Sequence, residues 1–297
     1  MAEWEGKSKG TPLGYKIFIF LIKNVGLSAA YLLLYPVVAW YFLFAKKANM
    51  ALNQYFNRVK IYFTNPPATS RFKTFYNMGQ VLIDKTAIIS GAESDFSVFR
   101  DGGHNLVAMS ENKTGGFLIS AHAGNWEIAG HLMQHLTTPV NIVLLDGEDE
   151  QIKKVMSKAT GKRHFNIIAM KDDMSHIFKI HQAAQNKELI CIHGDRFLPG
   201  SKTLTGTFLG EDALFPMGPF AMAAKMNLPV SFVFGMKEKK SKYHFYCTDP
   251  IVGETDQKAI FKAYLNKLEK IVYEYPNQWY NFYPFWKNDA QTPAKSN

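Results

Sequence analysis

Residues 25–45, VGLSAAYLLLYPVVAWYFLFA, run for 21 positions without a charged side chain. About 20 apolar residues suffice for a helix to cross a hydrocarbon core of roughly 30 Å. A run of this kind must be buried, either in a protein core or in lipid. Upstream, residues 15–22 are also mostly apolar, with Lys16 the one charge before Lys23 and Asn24. The run is too long for the apolar part of a secretory signal, and it lacks a small-residue cleavage site. Tyr31, Tyr35, Trp40 and Tyr41 are of types that favour the membrane–water interface. Membrane attachment is therefore the expectation, ahead of a buried core helix. Lysines 7, 9, 16 and 23 precede the run, and Lys46, Lys47, Arg58 and Lys60 follow it, so charge asymmetry sets no orientation. Pro36 near the middle leaves a kinked, re-entrant or surface-lying hairpin open beside a span.

The chain has 297 residues, 47% apolar and 20% charged, which excludes wholesale disorder and is enough for one large α/β domain. A net charge of +9 with 14% aromatic residues suits an anionic membrane surface or a nucleic acid. The basic residues are spread along the chain and no nucleic-acid motif is present, so a nucleic-acid partner is not expected. Two cysteines, Cys191 and Cys247, make no disulfide framework, and no Cys/His spacing forms a zinc site. No metal is expected, and a reducing compartment fits.

Beyond Asn65-Pro66-Pro67, residues 72–89 carry a helical pattern through Phe75, Met78, Val81 and Leu82. Short apolar runs then alternate with amphipathic stretches. Strands are expected at 116–121, 141–145, 165–170, 189–193, 230–236 and 243–247. Helices are expected at 126–136, 150–159, 173–185, 219–226 and 256–275. This alternation predicts an α/β fold, a mainly parallel sheet flanked by helices. Ligands of such sheets lie beyond the carboxyl ends of the strands. The organisation expected is a membrane-associating segment over 1–60, a main domain over 61–288 and a polar tail over 289–297.

Ser120-Ala-His-Ala-Gly-Asn-Trp-Glu127 falls where the first strongly apolar strand ends and a helix begins. Gly124 makes the turn permissive, and His122 and Glu127, five residues apart, are able to converge across it. A carboxylate fixes the imidazole tautomer and stabilises its protonated form, leaving the other ring nitrogen free to take a proton from an attacking hydroxyl or amine. On spacing alone, a turn histidine and a glutamate favoured by the helix N-terminus are the preferred reading; the position at a strand-to-helix turn downstream of the apolar segment brings the two level.

The motif resembles the His-x4-Asp/Glu mark of the lysophospholipid acyltransferase superfamily, and its fuller form resembles the lipid A biosynthesis (lauroyl/myristoyl) acyltransferase branch. The ending Pro276-Asn-Gln-Trp-Tyr-Asn-Phe-Tyr-Pro-Phe-Trp286 is similar to that branch's Pro-x-Gln-Trp segment. The resemblance implies an acyltransferase-type fold with an N-terminal membrane-anchoring helix or hairpin. It implies His122 as general base, with Glu127 or Asp195 as the orienting acid. Asp195, in His193-Gly-Asp195-Arg196, stands where the family has an acid facing the histidine. By the same resemblance Asn125, Arg163 (in Gly161-Lys-Arg-His164), Arg196, Gly210 and Gly218 are candidates for substrate binding. Thr207-Phe-Leu-Gly-Glu-Asp-Ala-Leu-Phe-Pro-Met-Gly218 resembles the family's acceptor block, read as a glycine-punctuated loop leading into a helix. It departs from the form seen in glycerol-phosphate acyltransferases and so disfavours that acceptor. A solvated basic loop around Arg163, and an Asp195–Arg196 ion pair without a catalytic role, are the bland alternatives.

The expected activity is transfer of an acyl group from an acyl carrier protein or coenzyme A thioester to a hydroxyl or amine of a membrane lipid, with no cofactor. The resemblance places such an enzyme at the bacterial inner membrane, its catalytic domain on the cytoplasmic side. A non-catalytic lipid-binding protein on the same fold and an aminoacyl transferase are the competing readings. No Gly-x-Ser-x-Gly elbow and no Gly-x4-Gly-Lys-Ser/Thr loop is present.

Overall fold

The protein was analysed as a computed structural model, which describes residues 12–89, 96–125, 136–145, 165–170 and 173–286. The described residues open with four helices, α1 (Pro12–Asn24), α2 (Leu27–Phe44), α3 (Lys46–Tyr62) and α4 (Arg71–Ile89). The apolar N-terminus is thus two helices rather than one, separated at Gly26, whose φ of +104° suits a residue without a Cβ. Pro36 lies inside α2 without ending it.

In α2, Ala30, Tyr31, Leu34 and Val38 are buried, and this i, i+1, i+4, i+8 spacing forms one stripe of a helix. The stripe packs with Ile83 and Ala87 of α4 and Ile22 of α1 in a cluster of its own. Gly79 of α4 allows the close approach: a Cβ there would lie 2.5 Å from Leu34 Cδ1. The opposite side of α2 is apolar and exposed, with Leu32, Trp40, Leu43 and Phe44 each more than half accessible. α3 belongs to the main core instead, through Leu52, Tyr55 and Val59.

The remaining elements are β1 (Ser97–Asp101), α5 (Gly103–Glu111), β2 (Gly116–Ser120), β3 (Val140–Leu145), β4 (Asn166–Met170), α6 (Ser175–Gln185), β5 (Leu189–His193), β6 (Thr203–Phe208), β7 (Glu211–Pro216), α7 (Gly218–Met226), β8 (Val230–Lys239), β9 (Lys242–Cys247) and α8 (Gln257–Glu274). Seven strands form one sheet in the order β1-β9-β8-β2-β5-β3-β4, parallel except for the β8–β9 pair. The expected mainly parallel α/β architecture is therefore the one observed. Central β2 and β5 are apolar along their length because both faces of the sheet are covered. Phe117 and Ile119 point into the larger core with α3, α6, α7 and α8, while Leu118 and Leu189 join α5 on the other side.

The acceptor-type block needs correction. It is not a loop: Thr207 and Phe208 end β6, Leu209 and Gly210 make a turn, and β7 carries the chain to Pro216. Both turn residues have positive φ, 51° and 80°, and this tight reversal lets Leu204, Phe208, Ala213 and Phe215 of the hairpin enter the core. β1 and α5, which sequence patterning does not predict, complete one edge and one face. The helix expected at 126–136, Leu136 apart, the one expected at 150–159 and the tail at 289–297 lie outside the described residues.

Candidate active site

The register of two neighbouring strands builds the site. β2 and β5 are parallel with Ser120 opposite His193, so His122 and Asp195 each stand two residues past the same level of the sheet. Gly194 permits the approach, since a Cβ there would lie 2.9–3.1 Å from Ile119, Phe220 and Tyr264. Its N–H bonds the Ser120 carbonyl at 2.8 Å, and the Tyr264 hydroxyl donates to that carbonyl at 3.0 Å.

Asp195 is 1% exposed and wraps its carboxylate around His122. Oδ1 lies 2.8 Å from His122 Nδ1, and Oδ2 accepts the His122 backbone N–H at 2.9 Å. Oδ2 also accepts the indole N–H of Trp279 at 3.3 Å. An ionised carboxylate only accepts, so Nδ1 carries the proton and Nε2 is left with its lone pair. Burial works against ionisation of Asp195, but its interaction with His122, with the Arg196 charge beyond, outweighs it and holds the carboxyl well below its usual range. Burial and then the Arg196 charge push His122 down, against the pull of Asp195. The imidazole is therefore held neutral, the form a base requires.

His193 stacks on His122, ring centroids 4.3 Å apart, and burial with the neighbouring His122 lowers its pKa to about 3. His122, His193 and Asp195 offer metal-ligand atoms within 4.8 Å of one another. Nδ1 of His122 is already committed to Asp195, however, and stacked rings direct their in-plane lone pairs side by side rather than towards one point. This donor set pairs a hydrogen-bonded imidazole with a buried carboxylate behind it.

The backbone around His122 is tied down on several sides. Its carbonyl accepts the Tyr280 N–H at 3.0 Å, the Gly124 N–H donates to the Gln278 carbonyl at 2.8 Å, and the Asn125 N–H to the Gly235 carbonyl at 2.7 Å. Gly124 has a φ of +64°, and a Cβ there would sit 2.2 Å from the Gly235 oxygen.

Of the residues anticipated from the sequence, His122 and Asp195 meet directly, and Arg196 stands beside them. The Arg196 guanidinium donates to the Tyr280 carbonyl and lies 5.6 Å from the Tyr283 ring. Asn125 is turned into the protein, its side-chain amide 3.4 Å from both the Val81 carbonyl and the Tyr243 hydroxyl. Gly210 is the hairpin turn beside Tyr62, and Gly218 opens α7 with no atom within 4 Å of where its Cβ would be. Glu127 and Arg163 lie outside the described residues. Sequence reasoning missed Trp279, His193 and Gln278 as members of the site. The Pro276–Trp286 segment was visible as a motif, but nothing in it announced an indole bonded to Asp195.

Fold and site together define an α/β protein with a histidine–carboxylate pair at the carboxyl edge of its central strands, where such sheets take their ligands. The chain belongs to the bacterial lipid A biosynthesis acyltransferase family, whose model matches residues 13–288. Membership makes it a lipid acyltransferase, with an acyl donor and a lipid acceptor. Comparison with curated proteins finds no match. α2 is the one helix among the described residues long and apolar enough to cross a membrane, which, with the family, is compatible with membrane association.

Proposed function

We propose that the protein transfers an acyl group from an acyl carrier protein or coenzyme A thioester to a hydroxyl or amine of a lipid, with His122 as general base and Asp195 as the acid that orients it. The observation that carries this reading is the double hold of Asp195 on His122, ring nitrogen and backbone N–H together, in a member of this family. Nε2 takes the proton of the acceptor as its oxygen or nitrogen attacks the thioester carbonyl. The tetrahedral intermediate collapses with loss of the thiolate, which recovers the proton from the imidazolium. This direct transfer needs neither a covalent acyl-enzyme nor a metal or prosthetic group. General-base assistance of this kind contributes about 10²–10⁴-fold in rate. The Arg196 charge beside the imidazole favours the neutral base and draws an anionic head group or donor phosphate towards the site.

The membrane seat follows from α2. Its buried stripe is packed on α4, so a span would draw α4, with Arg71, Lys73, Asp84 and Lys85, into lipid as well. This packing supports α2 lying along a membrane surface with its exposed apolar face in the interface, and the family reading suggests the cytoplasmic side of the inner membrane.

A thioester-consumption assay with carrier-protein and coenzyme A donors and a bacterial lipid extract tests the reaction. Wild type is compared with His122→Ala, Asp195→Ala and Glu127→Ala. Label moving into lipid, lost in His122→Ala and in Asp195→Ala, supports the reading. Transfer that survives without His122 removes the proposed base, and loss in Glu127→Ala with retention in Asp195→Ala reassigns the orienting acid.

A further inference from the structure

Behind the site lies a second group of polar side chains that the acyl-transfer reading does not use. Asp84 of α4 is fully buried, and its ion pair with Lys237 of β8 is equally inaccessible, at 0% and 5% side-chain exposure. Asp84 Oδ1 accepts the hydroxyl of Tyr31 of α2; Oδ2 accepts Lys237 Nζ and the hydroxyl of Tyr243 of β9. Lys237 Nζ further donates to the Tyr31 hydroxyl at 2.9 Å and to the Lys240 carbonyl. Four elements therefore meet at one carboxylate. A buried ion pair is weak evidence for stability, because apolar residues of the same volume often serve as well or better. The cluster calls for another reason.

Two routes lead from it to the loop that carries His122. The Tyr243 hydroxyl, held by Asp84, faces the Asn125 side-chain amide at 3.4 Å, and that amide also faces the carbonyl of Val81, one turn before Asp84 in α4. On the other route, Lys237 is clasped by Gln278: its N–H donates to Oε1 at 2.9 Å and its carbonyl accepts Nε2 at 2.7 Å. The Gln278 carbonyl in turn accepts the Gly124 N–H at 2.8 Å, and Gly235, two residues before Lys237, accepts the Asn125 N–H at 2.7 Å. The loop 122–125 is thus gripped at Gly124 and Asn125 by residues that Asp84 and Lys237 fix.

We propose that Asp84 is a positioning residue for His122: with Lys237, Tyr243 and Gln278 it holds the loop 122–125 in place, and through Tyr31 it ties that loop to the membrane-facing helix α2. The argument is geometric. A base must be kept within about 0.5 Å of its working place by a shell that does not itself react. The two bonds from Asp195 fix the ring and N–H of His122, while the direction of Nε2 is set by where the loop leaves the strand. Tyr31 makes the seat of α2 part of that shell. The proposal rests on His122 being the base, and its test separates the two.

The test uses the full chain in detergent and in anionic vesicles. Tyr243→Phe and Tyr31→Phe each remove one hydroxyl, and Asp84→Asn with Lys237→Met removes both charges together, so that none is left buried alone. The Nδ1–H proton resonance of His122, assigned by its absence in His122→Ala, reports the bond to Asp195 without turnover. Tyr243→Phe is expected to lower kcat at least tenfold with donor KM within twofold, and to shift or broaden that resonance at an unchanged Tm. Tyr31→Phe is expected to do the same more weakly. An unchanged kcat and resonance in Tyr243→Phe overturns the proposal. So does a loss of kcat that merely follows a fall in Tm with the resonance unmoved, since that is a purely structural role. An unchanged Tyr31→Phe protein overturns the link to α2. If wild type transfers nothing, the acyl-transfer reading fails, and the resonance still decides whether Asp84 positions the loop.

Discussion

The pH behaviour of the proposed base is set by burial and two side chains around His122. Burial and then Arg196 oppose its charged form, and Asp195 favours it; His193, its pKa lowered to about 3, stacks alongside. The balance lies below the ordinary histidine value, so the base is deprotonated at neutral pH, and kcat/KM rises on an acid limb below about 6.5 to a plateau. Arg196→Met removes a positive charge that disfavours imidazolium. The pKa then rises, and the limb moves to higher pH in a pH–rate profile; a limb unmoved or displaced downward contradicts the assignment. Asp195→Asn keeps the shape but presents an amide, able to donate, to the ring nitrogen. A fall of about 10²–10⁴-fold in kcat with little change in donor KM is expected from initial rates. His122 stands out in the sequence as a candidate through a local motif and its resemblance to the family mark. Its contact with Asp195 is not local, because it depends on a parallel register between strands 73 residues apart in the chain.

The strands and helices show where local patterning suffices and where it does not. Apolar runs at β2, β3 and β5 predict buried parallel strands directly, since both faces must be apolar. The 207–218 block reads as a loop because Gly210 and Gly218 punctuate it, and only pairing with Thr203–Phe208 makes Glu211–Pro216 a strand. The break of the apolar N-terminus falls just after Lys23 and Asn24, where the sequence interrupts its apolar runs, and not at Pro36, which lies inside α2. Glycine's part is clearest at the turn that ends β2. Gly124→Ala combines a left-handed φ with a Cβ 2.2 Å from the Gly235 oxygen, which cannot swing away as a side chain would. Such strain costs of order 1–3 kcal/mol. Thermal unfolding is expected to show that loss, whereas Gly218→Ala, which meets open space, stays near wild type.

At the scale of the whole molecule, two observations set the relation to the bilayer: a net charge of +9, and one apolar helix packed by one stripe and bare on the other. Charge alone gives a reversible, salt-sensitive association, about 1 kcal/mol for each lysine or arginine near an anionic surface. The bare face of α2 adds a part that salt does not screen, because burying one large apolar side chain is worth roughly 1.5–3 kcal/mol. Trp40→Glu with Leu43→Glu changes two exposed positions, 57% and 65% accessible, without touching the stripe against α4. Partition to anionic vesicles, measured by sedimentation at high salt, is expected to fall at least tenfold, while Tm and turnover of a detergent-dispersed lipid stay close to wild type. Alkaline carbonate then distinguishes the two topologies. A helix seated along the interface is released into the supernatant, whereas a protein that stays in the membrane pellet has α2 across the bilayer, with α4 either drawn in beside it or parted from it. Parting would break the Tyr31–Asp84 contact, and with it the path from the membrane surface to His122.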